Sequence, residues 1–350
     1  MNEDQKIRLG ISVGDVNGIG CEVILKTFQD IRMLDFCTPV IFAANKTISQ
    51  QKTDINIDIT FHGVQHASDV VDGKINVVNV RKDAPEMEYG KATKEAGQYA
   101  IASLKASVDA LKQGKIDVLV TAPINKNNVQ SEEFKFPGHT DYLAKELKGQ
   151  SLMFMIADSL RVGLLTDHIA VKDVAAAITP KLIRDKVAIM EKSLRMDFGI
   201  RRPKIALLGI NPHSGDHGTI GEEDDKVLRP TIQEIFDKGT MVFGPYSADS
   251  FFGSNAHQKF DAVLAAYHDQ GLIPFKTLSF GKGVNYTAGL EKVRTSPDHG
   301  TAYEIAGKGI ADESSFKEAV FMAMQIFRNR TEYEELTKNP LQKQKVKRAS

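Results

Sequence analysis

The chain has 350 residues, of which 42% are hydrophobic and 26% are charged, a composition typical of soluble globular proteins. Its 45 lysines and arginines equal its 45 aspartates and glutamates, so no net charge favours nucleic acid or an anionic membrane surface. No apolar run approaches the roughly 20 residues needed to cross a bilayer. The N-terminus has no apolar signal region, and Cys21 and Cys37 form no CxxC motif. We therefore expect a cytoplasmic protein.

Short apolar runs alternate with segments of helical periodicity along the chain. Several runs are apolar on both faces, as in parallel strands covered by helices. The pattern predicts an α/β fold with a mostly parallel sheet. Asp312 and Thr140 are candidate helix N-caps, the latter before a helix at 142–147. The predicted strands are 9–13, 39–43, 116–121, 152–156, 162–165, 204–210 and 262–267, and the other predicted helices are 92–112, 182–196, 222–237 and 315–328.

Three glycines, Gly14, Gly18 and Gly20, lie in the first predicted strand-to-helix turn, GDVNGIG. Glycine lets the backbone approach a ligand closely, and the start of the helix favours an anion. The spacing GxxxGxG differs from the dinucleotide fingerprint GxGxxG. A phosphate site and a tight turn without a ligand therefore both remain open.

A histidine follows each of three predicted strands: His168, His213 and His268. The carboxyl ends of parallel strands lie at one edge of a sheet, where ligands bind. Three neutral imidazoles suit a divalent metal with an open coordination position. The alternative is that each is an ordinary surface or hydrogen-bonded histidine.

Two further groups of residues suit anions. His139 and Thr140 precede a predicted helix, where they would present a ring and a hydroxyl to an anionic substrate. Lys276, Asn285 and Arg294 would make a clamp for phosphate or carboxylate. For these three residues, ordinary surface polarity is the alternative.

Taken in order, these segments resemble the 4-hydroxythreonine-4-phosphate dehydrogenase family of pyridoxal phosphate biosynthesis. The resemblance runs from residue 14 to about residue 302. The turn at residue 14 and the loop at residue 297 also resemble elements of the isocitrate and isopropylmalate dehydrogenases, which share that family's fold. The matching stretches are GDVNGIGCE, VTAPINK, FPGHTDYLA, TDHIAVKDV, INPHSGDHGTIGEED, GPYSADSFF, DAVLAAYHDQGLIPFK, GVNYTAGL and VRTSPDHGTA.

The resemblance implies a homodimer of two-domain subunits, with the active site in the interdomain cleft. One lobe would combine residues 1–130 with 303–338, the other would span 131–302, and 339–350 would form a basic tail. Zinc, magnesium, cobalt or manganese would be held by His168, His213 and His268, the last reaching across from the partner subunit.

The resemblance also assigns the remaining site residues. His139, Thr140, Lys276, Asn285 and Arg294 would bind the substrate. Lys276 and Asp269 are candidates for removing the hydroxyl proton, and Asp249 also matches an acidic motif position. NAD or NADP would bind around a loop and reach towards the first turn, through residues Asp298, His299, Gly300, Thr301, Gly14, Gly18 and Gly20.

The implied reaction is oxidation of 4-phosphooxy-L-threonine to a 3-oxo acid that decarboxylates to 3-amino-2-oxopropyl phosphate. The first turn reads DVNG where much of the family has proline and alanine, and an acid precedes His168 where many members have threonine. D-erythronate 4-phosphate and D-threonate 4-phosphate therefore remain alternative substrates. A metal-dependent hydrolase or phosphotransferase and a non-catalytic binding protein are the more distant alternatives.

Overall fold

Twelve strands form one sheet in the computed structural model, which describes residues 6–81, 83–131, 134–136 and 138–340. The strands are β1 (Ile7–Ser12), β2 (Cys37–Phe42), β3 (His62–Val64), β4 (Asn76–Val78), β5 (Val118–Thr121), β6 (Gly149–Ala157), β7 (Leu160–Leu164), β8 (Ile205–Leu208), β9 (Val242–Tyr246), β10 (Ala262–Ala265), β11 (Val284–Leu290) and β12 (Val293–Pro297).

Eleven α-helices accompany the sheet within the same ranges, and none is both long and apolar enough to cross a membrane. They are α1 (Gly20–Gln29), α2 (Met33–Phe36), α3 (Asn45–Asp54), α4 (Lys94–Lys112), α5 (His139–Glu146), α6 (Val174–Ala177), α7 (Pro180–Met196), α8 (Arg229–Asp237), α9 (Ala248–Gly253), α10 (His268–Ser279) and α11 (Ser314–Thr337).

The strand order is β3-β4-β2-β1-β5-β12-β11-β6-β7-β10-β8-β9. Only the three central pairs, β12–β11, β11–β6 and β6–β7, are antiparallel. The α/β fold with a mostly parallel sheet is therefore confirmed. Because three reversals separate them, the six strands from β3 to β12 run opposite to the four strands from β7 to β9. The sheet continues from one predicted lobe into the other, and the lobe boundaries stay a prediction.

The strands that precede the three histidines are direct parallel neighbours, in the order β7, β10, β8. Their carboxyl ends therefore lie at the same edge, as the alternating pattern predicted. The β1, β5, β8 and β10 strands are buried on both faces almost throughout, which explains their largely apolar sequences.

All seven predicted strands are present, with ends displaced by up to three residues. The predicted helix at 222–237 is present from residue 223, but Asp224–Leu228 form a π-helical turn before α8. Both predicted N-caps are also wrong. The helix α5 begins at His139, one residue before Thr140, and Glu313 rather than Asp312 precedes α11. Asp312 still accepts the Ser314 N–H at 2.7 Å. Most of the predicted basic tail lies outside the described residues.

Candidate active site

A cavity of about 290 Å³ lies between α5, α10 and the central strands of the sheet. Side chains of β5, β6, β11 and β12 contribute to its walls. All the residues predicted to bind substrate line this cavity: His139, Thr140, Lys276, Asn285 and Arg294.

Arg294 is the most unusual of these residues because it is a buried cation, with 2% of its surface exposed. Its Nε and Nη2 atoms donate to Thr121 Oγ1 at 3.1 and 2.5 Å, and Nη1 donates to Thr287 Oγ1 at 3.1 Å. No carboxylate of the described residues lies within ion-pair distance of it. Burial lowers the pKa of Arg294 to about 9. A buried charge without a counter-ion is costly, so this position is suited to an anionic ligand.

Two neutral polar atoms near Arg294 are also buried without a hydrogen-bond partner, His139 Nε2 and Asn285 Oδ1. Burial, followed by the charges of Arg294 and Lys126, holds the pKa of His139 well below its ordinary value of 6.5. The imidazole is therefore neutral at physiological pH. Buried polar groups are normally satisfied, so these atoms are available for a ligand in the cavity.

The imidazoles of His168 and His268 also line the cavity, with ring centroids 5.8 Å apart. Burial, and next the charge of Lys126, lowers the pKa of His168. His268 Nδ1 is hydrogen-bonded to Asp269 Oδ1 at 2.7 Å. A carboxylate bonded to one ring nitrogen is common for metal-binding histidines, because it orients the ring and leaves the other nitrogen free. Both rings belong to one subunit, so the expectation that His268 reaches His168 from the partner subunit is wrong. The pair therefore fits two nitrogen ligands of a divalent metal.

His213 does not join this pair. It is exposed, it does not line the cavity, and no three His, Cys, Asp or Glu side chains of the described ranges form a metal-binding group. The five residues from His213 to His217 all have positive φ, between 42° and 82°, which non-glycine residues rarely adopt. Asp224 anchors the start of this loop by accepting the backbone N–H groups of Ile210 and Asn211 at 2.9 and 3.0 Å.

The predicted nucleotide loop contributes Asp298, His299 and Gly300 to the cavity wall. Thr301 instead faces the first turn, where its carbonyl accepts the Ile19 N–H at 3.0 Å. A side chain at Gly18 would begin 2.7 Å from this carbonyl oxygen.

The glycines of the first turn are themselves buried. Gly14 has a φ of +67° and packs on the backbone of Pro123. Gly20 packs on the backbone of Val13. The space that these glycines leave is therefore filled by the protein's own backbone, at Pro123, Thr301 and Val13. The first turn packs against the loop that contains Thr301.

A family model described as pyridoxal phosphate biosynthetic protein PdxA matches residues 35–323. The chain belongs to this family. It is 47% identical over 344 residues to the 4-hydroxythreonine-4-phosphate dehydrogenase of Bacteroides thetaiotaomicron, covering 98% of this chain and 94% of that protein. A protein of Oceanobacillus iheyensis named "Putative D-threonate 4-phosphate dehydrogenase" is 34% identical over 324 residues, covering 91% of this chain and 97% of the relative.

Among solved structures of the PdxA family, the crystal structure of 4-hydroxythreonine-4-phosphate dehydrogenase from Klebsiella pneumoniae superposes with a TM-score of 0.81. The two chains are 30% identical, and the match covers 93% of this chain and 99% of that one. The resemblance stated from the sequence motifs is thereby confirmed.

The three predicted catalytic side chains have different environments. Lys276 lines the cavity, and Asp269 is bonded to His268. Asp249 is exposed on α9 and does not line the cavity. The Ser247 hydroxyl and then the Ser250 N–H hold the pKa of Asp249 below its ordinary value, with His213 contributing less.

The cavity residues that were given no role from the sequence include Thr121, Lys126 and Asp141. Lys126 lies in the VTAPINK stretch, and its Nζ is 3.5 Å from His168 Nε2. Asp141 lies one residue after Thr140 in the first turn of α5. Both belong to quoted family motifs, but nothing in their local spacing indicated that they share a cavity with the histidine pair.

Proposed function

We propose that this protein oxidises 4-phosphooxy-L-threonine with NAD or NADP in pyridoxal phosphate biosynthesis. The product would be a 3-oxo acid that loses CO2 to give 3-amino-2-oxopropyl phosphate. The names of the relatives support this reaction. The buried Arg294 without a carboxylate partner is the observation that carries the proposal, because a phosphorylated hydroxy acid supplies the missing negative charge.

The chain's own residues would chiefly orient the substrate. Arg294 and Asn285 would hold the phosphate at the floor of the cavity, and the neutral His139 would add a hydrogen bond at the start of α5. Such anchoring would leave the hydroxyl-bearing carbon free to approach His168 and His268, which line the same cavity. Orientation of this kind accounts for a large part of the rate in many enzymes.

We propose that a divalent metal is held by His168 and His268, with His213 as a third ligand. When bound, the metal supplies charge stabilisation at the substrate hydroxyl, and the nucleotide supplies the hydride acceptor. His213 follows the strand next to that of His268, and Gln270 ties the two strand ends by donating to the Gly209 carbonyl at 2.7 Å. The place of His213 after the strand next to that of His268 supports this assignment, although His213 lies outside the cavity of the single subunit.

Lys276 is the better placed of the two candidates for accepting the hydroxyl proton. It lines the cavity, whereas the Asp269 carboxylate is bonded to His268 and 72% exposed. The nucleotide would lie along Asp298, His299 and Gly300, and the unpartnered His299 Nε2 supports this position. We propose that Gly14, Gly18, Gly20 and Thr301 only support the nucleotide loop. We propose no role in proton transfer for Asp249.

We further propose that the protein is a cytoplasmic homodimer. Large apolar side chains are exposed on and just after α10, the helix that begins with His268: Ile273 at 65%, Leu278 at 42% and Phe280 at 86%. Exposed apolar patches of this kind favour burial against a partner. Phe280→Asp should then reduce the mass measured by light scattering to that of one subunit.

D-Threonate 4-phosphate and D-erythronate 4-phosphate are the second candidate substrates, favoured by the name of the Oceanobacillus iheyensis relative. Both carry the carboxylate and phosphate of the amino acid substrate, with a hydroxyl in place of the amino group. The cavity charges described so far suit all three compounds.

The test is a steady-state assay of metal-depleted protein resupplied separately with zinc, magnesium, cobalt or manganese. Each of the three phosphorylated acids is offered with NAD and with NADP, and both reduced nucleotide and free phosphate are measured. We expect metal-dependent formation of reduced nucleotide, abolished by His268→Ala and His213→Ala. Phosphate release without nucleotide reduction would instead indicate a hydrolase.

A further inference from the structure

The first turn contains a carboxylate that has no part in the proposed reaction, that of Asp15. It is fully buried, and no lysine, arginine or histidine of the described residues lies within ion-pair distance of it. Three neutral donors surround it instead. The Asn17 N–H donates to Oδ1 at 2.9 Å, and Asn128 Nδ2 and the Tyr303 hydroxyl both donate to Oδ2 at 2.7 Å. A buried carboxylate is costly unless it is hydrogen-bonded, so each of these donors matters for the fold around it.

Two of these donors belong to segments that run into the cavity wall. Asn128 follows the stretch 122–126, which contributes four residues to the wall. Tyr303 follows the proposed nucleotide loop, of which residues 298–300 line the cavity. Asp15 itself does not line the cavity. One oxygen atom behind the cavity therefore accepts a hydrogen bond from each of two segments that form the cavity wall.

The bond from Tyr303 is suited to holding a loop. Hydrogen bonds to a carboxylate are stronger than those between two neutral groups. Burial, followed by the hydrogen bond to Asp15, raises the pKa of Tyr303, while the side chains of Asn125 and Thr301 act in the opposite direction. The hydroxyl therefore keeps its proton at physiological pH and remains a donor.

The residue just before Tyr303 has a backbone conformation that needs such support. Ala302 has a φ of +44°, which residues other than glycine rarely adopt. Strained conformations of this kind persist only where neighbouring contacts hold them. On one side of Ala302 the Thr301 carbonyl accepts the Ile19 N–H at 3.0 Å, and on the other the Tyr303 hydroxyl donates to Asp15. Both contacts are made to the first turn.

We propose that Asp15 is a positioning residue, which acts through Tyr303 to hold residues 298–302 in the conformation that binds the nucleotide. The inference rests on the proposed function and deepens it, because it explains what fixes the shape of the nucleotide loop. Without this bond Ala302 can relax to a negative φ, and residues 298–300 then leave the cavity wall for part of the time. The affinity for the nucleotide falls with the fraction of time spent in the binding conformation.

The test is a direct binding measurement on Tyr303→Phe, which keeps the ring and removes the bond to Asp15. Metal-loaded protein is titrated with NADH and with NADPH, and the fluorescence of the nucleotide is followed. A loop in its binding conformation for one tenth of the time binds about tenfold more weakly, so we expect the Kd to rise about tenfold. The KM for 4-phosphooxy-L-threonine at saturating nucleotide should stay within about twofold.

Asp15→Asn is the second variant and cuts the same bond from the other side. It replaces the carboxylate by a weaker acceptor, so the Kd for the nucleotide should rise in the same direction. The matched control is Tyr286→Phe, which removes a Tyr–Asp bond of 2.6 Å to Asp197, away from the cavity. This control should lose stability and leave the Kd unchanged, which separates loop positioning from a general structural role.

The strain at Ala302 gives an independent arm. Glycine adopts positive φ at no steric cost, so the loop needs less support when residue 302 is glycine. Ala302→Gly combined with Tyr303→Phe should therefore bring the Kd back to within about threefold of the wild-type value. Equal Kd values for Tyr303→Phe with and without Ala302→Gly would contradict the part given to Ala302.

The outcomes separate this inference from the proposed function. Wild type that binds neither NADH nor NADPH contradicts the proposed function, and the inference falls with it. Wild type that binds one of them, with an unchanged Kd in both Tyr303→Phe and Asp15→Asn, contradicts only the inference. A rise in Kd for Tyr286→Phe as large as that for Tyr303→Phe would overturn it as well.

Discussion

The two faces of the β11–β12 pair differ in how their polar groups are satisfied. On one face Asn285 and Arg294 line the cavity, with a buried unpartnered oxygen and an unpaired cation. On the other face Tyr286 donates to Asp197 at 2.6 Å, and Thr295 donates to the Ala319 carbonyl at 2.7 Å. Because successive strand residues alternate between faces, the same sequence segment serves stability on one side and binding on the other.

The same difference separates the buried Arg294 from Arg330, whose side chain is 12% exposed. Arg330 of α11 donates through Nε to Asp197 Oδ1 at 2.6 Å and through Nη2 to the Tyr286 hydroxyl at 2.7 Å. Arg294 has only threonine hydroxyls. Arg330 therefore has its counter-ion within the fold, whereas Arg294 lacks one among the described residues. The comparison indicates that Arg330 stabilises the protein and that Arg294 binds a ligand.

The largest expected effect on stability is that of Arg330→Met. Removing one partner of a buried ion pair leaves Asp197 uncompensated, so the free energy of unfolding should fall by about 3–5 kcal/mol. Urea unfolding monitored by circular dichroism measures this loss. Arg328→Met, on the exposed side of the same helix, should change it by less than about 0.5 kcal/mol. Equal stabilities of the two variants would contradict the role given to Arg330.

Asn285→Ala should act on substrate binding instead. Its buried oxygen has no partner to lose in the free protein, so the free energy of unfolding should change little. The lost contact with the bound substrate should lower kcat/KM by about 10- to 100-fold. Steady-state kinetics and urea unfolding of the same preparation check both parts. Lower stability with unchanged kcat/KM would break the distinction between the two faces.

The neighbouring variant Tyr286→Phe should show the reverse behaviour with a smaller magnitude. Loss of the hydroxyl removes hydrogen bonds to Asp197 and Arg330 and should lower the free energy of unfolding by about 1–2 kcal/mol. The kcat/KM of the folded protein should stay unchanged. A marked rise in KM would instead place Tyr286 in the substrate site.

The smallest expected effect is on the pH dependence of the free energy of unfolding, through His139 on the cavity face. Because the pKa of His139 lies well below 6.5, the unfolded chain binds more protons than the folded one as pH falls below 6.5. Stability should therefore decrease on acidification by up to about 1.4 kcal/mol per pH unit from this group. His139→Gln should lose less stability than wild type between neutral pH and about pH 5.5. Identical losses would mean that His139 is not protected from protonation.

Much of the fold was predictable because strands and helices leave apolar patterns within short stretches of sequence. Buried parallel strands are apolar on both faces, and this pattern located β1, β5, β8 and β10. The motif order predicted the cavity residues, from His139 to Arg294. The central antiparallel pairs were not predicted, because the β11 and β12 segment was interpreted as a clamp and its pairing depends on distant residues of β5 and β6.

The arrangement of the histidines was only partly predictable. Neighbouring parallel strands bring His168 and His268 together, as their position after strands indicated. The position of His213 depends on a run of positive φ angles in HSGDH, and only one residue of that run is a glycine. Lys126 and Asp141 reach the cavity through tertiary packing, for which their sequence positions contain no signal.

The most direct test of the central claim is a combined measurement on Arg294→Met. If Arg294 is a cation held without a counter-ion for the substrate's phosphate, kcat/KM should fall by about 100-fold or more, while the free energy of unfolding stays the same or rises. A fall in the free energy of unfolding of about 3 kcal/mol, as expected for Arg330→Met, or an unchanged kcat/KM, would contradict the account.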